Sequence, residues 1–206
     1  MSFEAVAAPP GQLKVVNFFG APGAGKSTAS AGLFSLMKRA YVGCEIVTEF
    51  AKDLVWSGRS AELSLQNFVF ANQERKLATL AGKVDWAVSD SPLPLSAFYC
   101  PEGYPPAFKR LVFEMFDAYD NHNFFVERNH AYEKAGRIHT EAQSDAASKA
   151  LKEMLAAEGI KFEVVRASDR LPEEVFASLV RSRSLEIPEA GRKWARSLVG
   201  SLERAR

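Results

Sequence analysis

The chain has 206 residues, 47% hydrophobic and 25% charged, with a formal net charge of +1, the profile of one globular domain with a sizeable core. No apolar run approaches the ~20 residues of a membrane-spanning helix, which speaks against a membrane protein of that kind. Cys44 and Cys100 stand outside any CxxC pair, which argues against a disulfide scaffold or a structural zinc site and fits a reducing cytoplasm.

Residues 1–12, with Pro9, Pro10 and Gly11, read as a flexible leader, acidic at Glu4 and without the basic and apolar regions of a signal peptide. Lys14-Val15-Val16-Asn17-Phe18-Phe19 predicts a buried strand over about 13–19. Directly after it runs Gly20-Ala21-Pro22-Gly23-Ala24-Gly25-Lys26-Ser27-Thr28, which fits the phosphate-binding P-loop pattern G-x-x-x-x-G-K-[ST]. Ser30 to Lys38 reads as a helix, so the motif has the strand, turn and helix that it needs. Its glycines bare the backbone, so that successive N–H groups face a polyphosphate, and the helix opening near Gly25 adds its positive end. Lys26 is expected to reach the β- and γ-phosphates of ATP, and the Ser27 hydroxyl to ligate Mg²⁺.

Cys44 to Phe50 predicts a second strand that ends at Glu49, a carboxylate able to take a proton from an attacking hydroxyl; the bland alternative is a surface Glu paired with Lys52. Ser60 to Leu80 predicts one long helix from the spacing of Leu63, Phe70, Leu77 and Leu80. Around it, Trp56 could stack on a planar base, Arg59 could meet an anionic group, and Asn72 and Gln73 could read a base edge. Core packing or solvation explains each of these four at least as well. Val84 to Asp90 predicts strand three, ended by Ser91-Pro92, because Pro92 and Pro94 cannot continue a central strand. Asp90 falls where a Walker-B-type Asp holds Mg²⁺, although Asp-Ser-Pro is equally a turn signal.

Pro105 to Tyr119 reads as a helix and Asn123 to Arg128 as strand four. His122, His130 and His139 share one stretch but lack the i, i+4 spacing of a helical zinc site. Arg128, and Arg137 in Tyr132-Glu133-Lys134-Ala135-Gly136-Arg137, are expected to form an arginine lid near 128–139 that neutralises the transferring phosphoryl group, or else to be two surface arginines. Thr140-Glu141-Ala142-Gln143 is a capping box that predicts a helix to about Ala157, with Gly159 at its C-cap. Phe162 to Arg166 predicts strand five, and Pro172 suits the first turn of a helix opening at Leu171. From Arg181 to Arg206 seven Lys/Arg face three acids, so this stretch carries +4 and the remainder −3. A helical basic tail over 183–206 is expected, either contacting DNA or presenting a solvated face.

Strands alternating with helices over 13–182 predict an α/β fold, a P-loop kinase-type three-layer sandwich with a five-stranded parallel sheet. Ligands in such folds bind outside the carboxyl ends of the strands, where Glu49, Asp90 and Arg128 are expected.

Together these residues resemble the P-loop kinases of nucleosides and nucleotides, and most closely the small kinases of that kind encoded by bacteriophages. The landmarks are the P-loop, Thr48-Glu49-Phe50-Ala51-Lys52-Asp53-Leu54-Val55-Trp56, Phe68-Val69-Phe70-Ala71-Asn72-Gln73 and Asp90-Ser91-Pro92-Leu93. The resemblance covers residues 13–166 and extends to thymidylate, deoxynucleoside and nicotinamide-riboside kinase-like domains. It implies ATP and Mg²⁺, Glu49 as the base that activates the acceptor hydroxyl, a base-contacting helix at 68–73 and an arginine lid over Arg128 to Arg137. Deoxynucleoside kinases usually carry Asp-Arg after strand three, whereas here it is Asp90-Ser91. Among such phage enzymes some phosphorylate 5-hydroxymethyluracil already in DNA, a step of thymidine hypermodification, and others phosphorylate deoxynucleoside monophosphates. The DNA kinase is the favoured expectation and the monophosphate kinase the alternative. A nucleotide-hydrolysing switch or assembly ATPase is the alternative of another class.

Overall fold

After Lys14, every residue of β1 (Lys14–Phe19) is buried. A run buried on both faces belongs at the centre of a parallel sheet, and β1 lies there. The computed structural model, which describes residues 13–129 and 140–204, sets β2 (Cys44–Val47), β3 (Trp86–Ser89), β4 (Asp120–Glu127) and β5 (Glu163–Arg166) around it in the order β2-β3-β1-β4-β5. All four neighbouring pairs are parallel. This is the five-stranded α/β sandwich that the alternation of elements implied. Leader residues 1–12 and the segment with His130, Arg137 and His139 lie outside the described residues.

The helices are α1 (Lys26–Arg39), α2 (Phe50–Trp56), α3 (Gln66–Ala78), α4 (Pro94–Phe98), α5 (Pro106–Asp117), α6 (Glu141–Ala157), α7 (Leu171–Arg181) and α8 (Glu189–Arg204), with a 3₁₀ turn over Ser60–Ser64. Side chains alternate along a strand, and β1 feeds two cores accordingly. Val16 and Phe18 pack with Leu33 and Met37 of α1, Phe176 of α7 and Ala195 of α8. Val15 and Phe19 pack with Phe70 of α3, Phe116 of α5 and Leu151 and Leu155 of α6.

Two expected elements change shape. The second strand stops at Val47, its last residue paired with β3 (opposite Ser89), and Glu49 becomes the N-cap of α2, a helix absent from the sequence-based reading. The single helix expected over Ser60 to Leu80 is divided at Leu65, whose φ of −86° and ψ of 70° leave the helical region. Leu65 then accepts from the N–H groups of Phe68 and Val69 as the start of α3. Strand four begins earlier than expected, at Asp120.

Other local signals hold. Thr140 and Gln143 form the reciprocal capping box of α6, and Gly159 follows its C-cap with a φ of +69°. Pro172 opens α7 and rests on Gly32 of α1, where an added Cβ would meet its ring carbon at 2.5 Å. The expected basic tail contains α8, and α8 is docked on the sandwich: Gly191 abuts the Ala40 carbonyl and Trp194 packs edge-on against Phe176.

Candidate active site

The register brings the ends of β1, β2 and β3 level, because Asn17 and Val47 both pair with Ser89. The P-loop, Glu49 and Asp90 therefore emerge at one end of the sheet. Gly20 leaves β1 with a φ of +144° and no room for a side chain, since a Cβ there would lie 2.7 Å from the Val126 carbonyl oxygen. Gly23 and Gly25 have φ of +83° and +95°, and Gly25 is the N-cap of α1. Only glycine takes such angles without strain, so the motif's glycines set the curve that points backbone N–H groups over α1.

Lys26 folds back over that curve, donating from Nζ to the carbonyl oxygens of Gly20 at 2.8 Å and Ala21 at 3.1 Å. Ser27 Oγ donates to Asp90 Oδ2 at 2.7 Å. Asp90 is 5% exposed, follows β3 directly, and its other oxygen, Oδ1, is buried without a hydrogen-bond partner. A serine hydroxyl beside a buried carboxylate with one unsatisfied oxygen fits a hard cation. Among the described residues no cluster of three His, Cys, Asp or Glu could hold a metal by itself. Such a pair therefore suits Mg²⁺, which binds through one or two protein oxygens together with phosphates and water.

Glu49 lies between these groups electrostatically. Burial pushes its carboxyl above the usual range; Lys26 pulls it down and Asp90 adds to the rise. Lys52, its partner in the alternative reading of a surface Glu, exerts a weaker pull than Lys26. Tyr99, just after α4, is pushed up to about 12 by burial, with Glu49 adding to the effect. A half-buried carboxylate near a lysine and set at a helix N-cap can accept a proton at neutral pH.

Arg128 follows β4, as expected, and sits in a clamp. Its Nη1 donates to Glu141 at 2.8 Å and its Nη2 to Asp145 at 2.6 Å, both on α6. It lines a cavity of about 390 Å³ together with Ala21 and Ala24 of the P-loop, Glu127 and Lys152. Ser144 on α6 donates to the Pro22 carbonyl at 2.8 Å, tying that helix to the P-loop. Sequence reasoning missed Glu141, Ser144 and Asp145; the capping box placed them on a helix, but nothing local marks a contact with residues 13 to 122 positions away.

The four residues proposed for acceptor contact diverge. Gln73 is buried, and its Oε1 accepts from the Phe50 N–H, so it fastens α3 to the start of α2 beside Glu49. Asn72 donates to Phe68 of its own helix, and Arg59 is paired with Glu62. Trp56 is 71% exposed at the end of α2.

No curated protein matches the chain. Among solved structures it is similar to Mycobacterium tuberculosis APS kinase in complex with AMPPNP and APS, at 16% identity over 84% of this chain and 99% of that one, with a TM-score of 0.45. It is similar also to deoxyadenosine kinase from M. mycoides with products dCMP and a flexible dCDP bound, at 14% identity over 82% and 99%, with a TM-score of 0.48. A family described as an AAA domain matches residues 15–171, which contain the P-loop, Glu49, Asp90 and Arg128, and this protein belongs to that AAA domain family.

Proposed function

We propose that the protein is an ATP-dependent kinase that transfers the γ-phosphoryl group to a hydroxyl on a nucleoside-type acceptor. The observation that carries this reading is the convergence of the P-loop, the Ser27–Asp90 pair and the half-buried Glu49 at one end of the sheet. The P-loop amides and Lys26 bind the ATP phosphates, and Ser27 and Asp90 would hold Mg²⁺, which supplies charge neutralisation on those phosphates. Glu49 takes the proton of the acceptor hydroxyl. The hydroxyl oxygen bonds to the γ-phosphorus, the bond from that phosphorus to the β–γ bridging oxygen breaks, and ADP leaves. Arg128, joined by Arg137, offsets charge on the transferring group. A half-buried base beside the P-loop supports transfer to an alcohol over the hydrolysing switch.

For the acceptor we favour 5-hydroxymethyluracil in DNA. Its primary hydroxyl needs a base such as Glu49, and the exposed Trp56 offers a stacking surface for a neighbouring nucleotide. A free monophosphate would need cations on the acceptor side, and would have to displace Glu62 from Arg59 or Asp53 from Lys76 to reach these two. The basic face of α8 begins near Ala40, at the far end of α1 and about 20 Å from Lys26 by helix rise. DNA contact there would require a strand that extends well past the acceptor. Radiolabelled ATP is offered in parallel with 5-hydroxymethyluracil DNA, free nucleosides and free deoxynucleoside monophosphates. Label on the DNA alone is expected; label on monophosphates alone moves the acceptor to the alternative, and phosphate release with no labelled acceptor overturns the kinase.

A further inference from the structure

Arg128 is held by two carboxylates one helical turn apart, and it borders the same cavity as Ala21 and Ala24 of the P-loop. Its side chain is only 14% exposed, whereas those of Glu141 and Asp145 are 60% and 64% exposed. The cation is thus largely desolvated and the anions are largely hydrated. The two carboxylates occupy guanidinium N–H groups at the edge of a loop built to receive a polyphosphate, in a cavity that Lys149 and Lys152 also line. An anion entering there gains Arg128 only if Arg128 changes partners. A phosphate offers the same planar, two-oxygen match to a guanidinium as a carboxylate does, with more charge.

We propose that Glu141 and Asp145 are an internal stand-in for the terminal phosphate: they hold Arg128 beside the P-loop and give it up when a nucleoside triphosphate binds. The exchange rests on the nucleotide-site reading above and adds positioning residues to it. Both carboxylates lie in the first five residues of α6, and Ser144 between them is bonded to the Pro22 carbonyl, so the partner change is felt directly at the P-loop. The exposed carboxylates lose little when released, because water takes the place of Arg128. Removing them should therefore favour the triphosphate.

Titration calorimetry with Mg-AMPPNP and with Mg-ADP tests this on four full-length proteins: wild type, E141Q/D145N, R128A and the triple variant. The double substitution is expected to tighten Mg-AMPPNP by about tenfold, the scale of two exposed ion pairs, and Mg-ADP by less than about twofold. In the R128A background the same double substitution should change neither affinity. Equal tightening with and without Arg128 means simple charge repulsion and overturns the exchange. Unchanged or weaker binding of Mg-AMPPNP in E141Q/D145N means that the clamp is structural and overturns it too. Thermal melts accompany each variant, and single E141Q and D145N variants carry the same comparison if the double variant melts early. A wild type that binds neither nucleotide overturns the nucleotide site itself, and the exchange with it; a wild type that binds both leaves a failed exchange as the only loss.

Discussion

Ser27 Oγ donates a 2.7 Å hydrogen bond to Asp90 Oδ2, joining the first turn of α1 to the residue after β3 across 63 positions of sequence. The bond aligns one carboxylate oxygen and leaves Oδ1 buried without a partner. A buried carboxylate oxygen in that state is costly unless a cation completes it. Asp90→Asn keeps an oxygen for Ser27 and removes the charge. The variant should fold, lose about 10²-fold or more in turnover, and require more Mg²⁺ for half-maximal rate. A Mg²⁺ titration of phosphoryl transfer checks this; an unchanged Mg²⁺ requirement would count against the metal role.

Glu49→Gln separates chemistry from stability. Loss of a general base should lower kcat by about 10²- to 10⁴-fold while ATP affinity changes little. Stability should move the other way. Burial raises the folded-state pKa of Glu49 above its unfolded value, so the native state binds more protons than the unfolded chain between the two values. Stability contributed by this group therefore falls as pH rises through that window. At pH 7 the buried charge is a burden that glutamine relieves, and the melting temperature of Glu49→Gln should exceed that of wild type by a margin that shrinks toward pH 4. An equal or lower melting temperature at pH 7 would show that the carboxylate is stabilised rather than strained. The acid limb of the wild-type kcat/KM profile should also lie above the ordinary carboxylate range, since protonated Glu49 cannot act as the base.

Local signals carried much of this architecture. The G-x-x-x-x-G-K-[ST] spacing fixes glycine at Gly20 and Gly25, the two positions that bound the loop with positive φ, and Thr140 with Gln143 announces the start of α6. Hydrophobic runs marked all five strands. What stayed hidden depends on contacts distant in sequence. Leu65 breaks the apparent helix over 60–80 although its neighbours keep helical spacing, because periodicity counts apolar residues and is blind to one backbone angle. The seating of Gln73 on Phe50 and of Ser144 on Pro22 joins elements whose meeting only the packed sandwich decides. The charge of the last 26 residues was plain in the sequence, but the anchoring of α8 through Gly191 and Trp194 was not.

Gly191 supplies a test of that anchoring. In a helix, Gly→Ala ordinarily stabilises by about 0.5–1 kcal/mol. At Gly191 an added Cβ would lie 2.1 Å from the Ala40 carbonyl oxygen, a backbone atom that cannot swing aside. The clash should win, and Gly191→Ala should destabilise by about 1–3 kcal/mol. Gly200, on the same helix, faces only the mobile end of Arg204 at 3.5 Å, so Gly200→Ala should show the ordinary gain. Denaturant unfolding of the pair gives opposite signs if α8 is docked as described, and the same sign if it is not.

His122 predicts an acid weakness at the other end of the sheet. Its ring lies 4.9 Å from that of Trp86, over which Lys14 Nζ sits at 5.3 Å, and its Nε2 is 3.4 Å from Asp120 Oδ1. Burial lowers its pKa and Lys14 lowers it further, while Asp120 pulls it up without prevailing. The folded protein therefore holds this imidazole neutral where the unfolded chain, with a pKa near 6.5, would protonate it. The unfolded state then binds more protons, so stability is lost as pH falls below about 6.5 and the loss levels off beneath the folded-state pKa. His122→Phe keeps a ring against Trp86 and removes the titration. The stability difference between wild type and His122→Phe, measured by denaturant unfolding at pH 7 and pH 5, should shift against wild type at the lower pH. His130 and His139 remain in both proteins, so their titrations cancel in that difference. A difference that stays constant with pH would show that Asp120 balances the burial of His122 and that the acid sensitivity, if any, arises elsewhere.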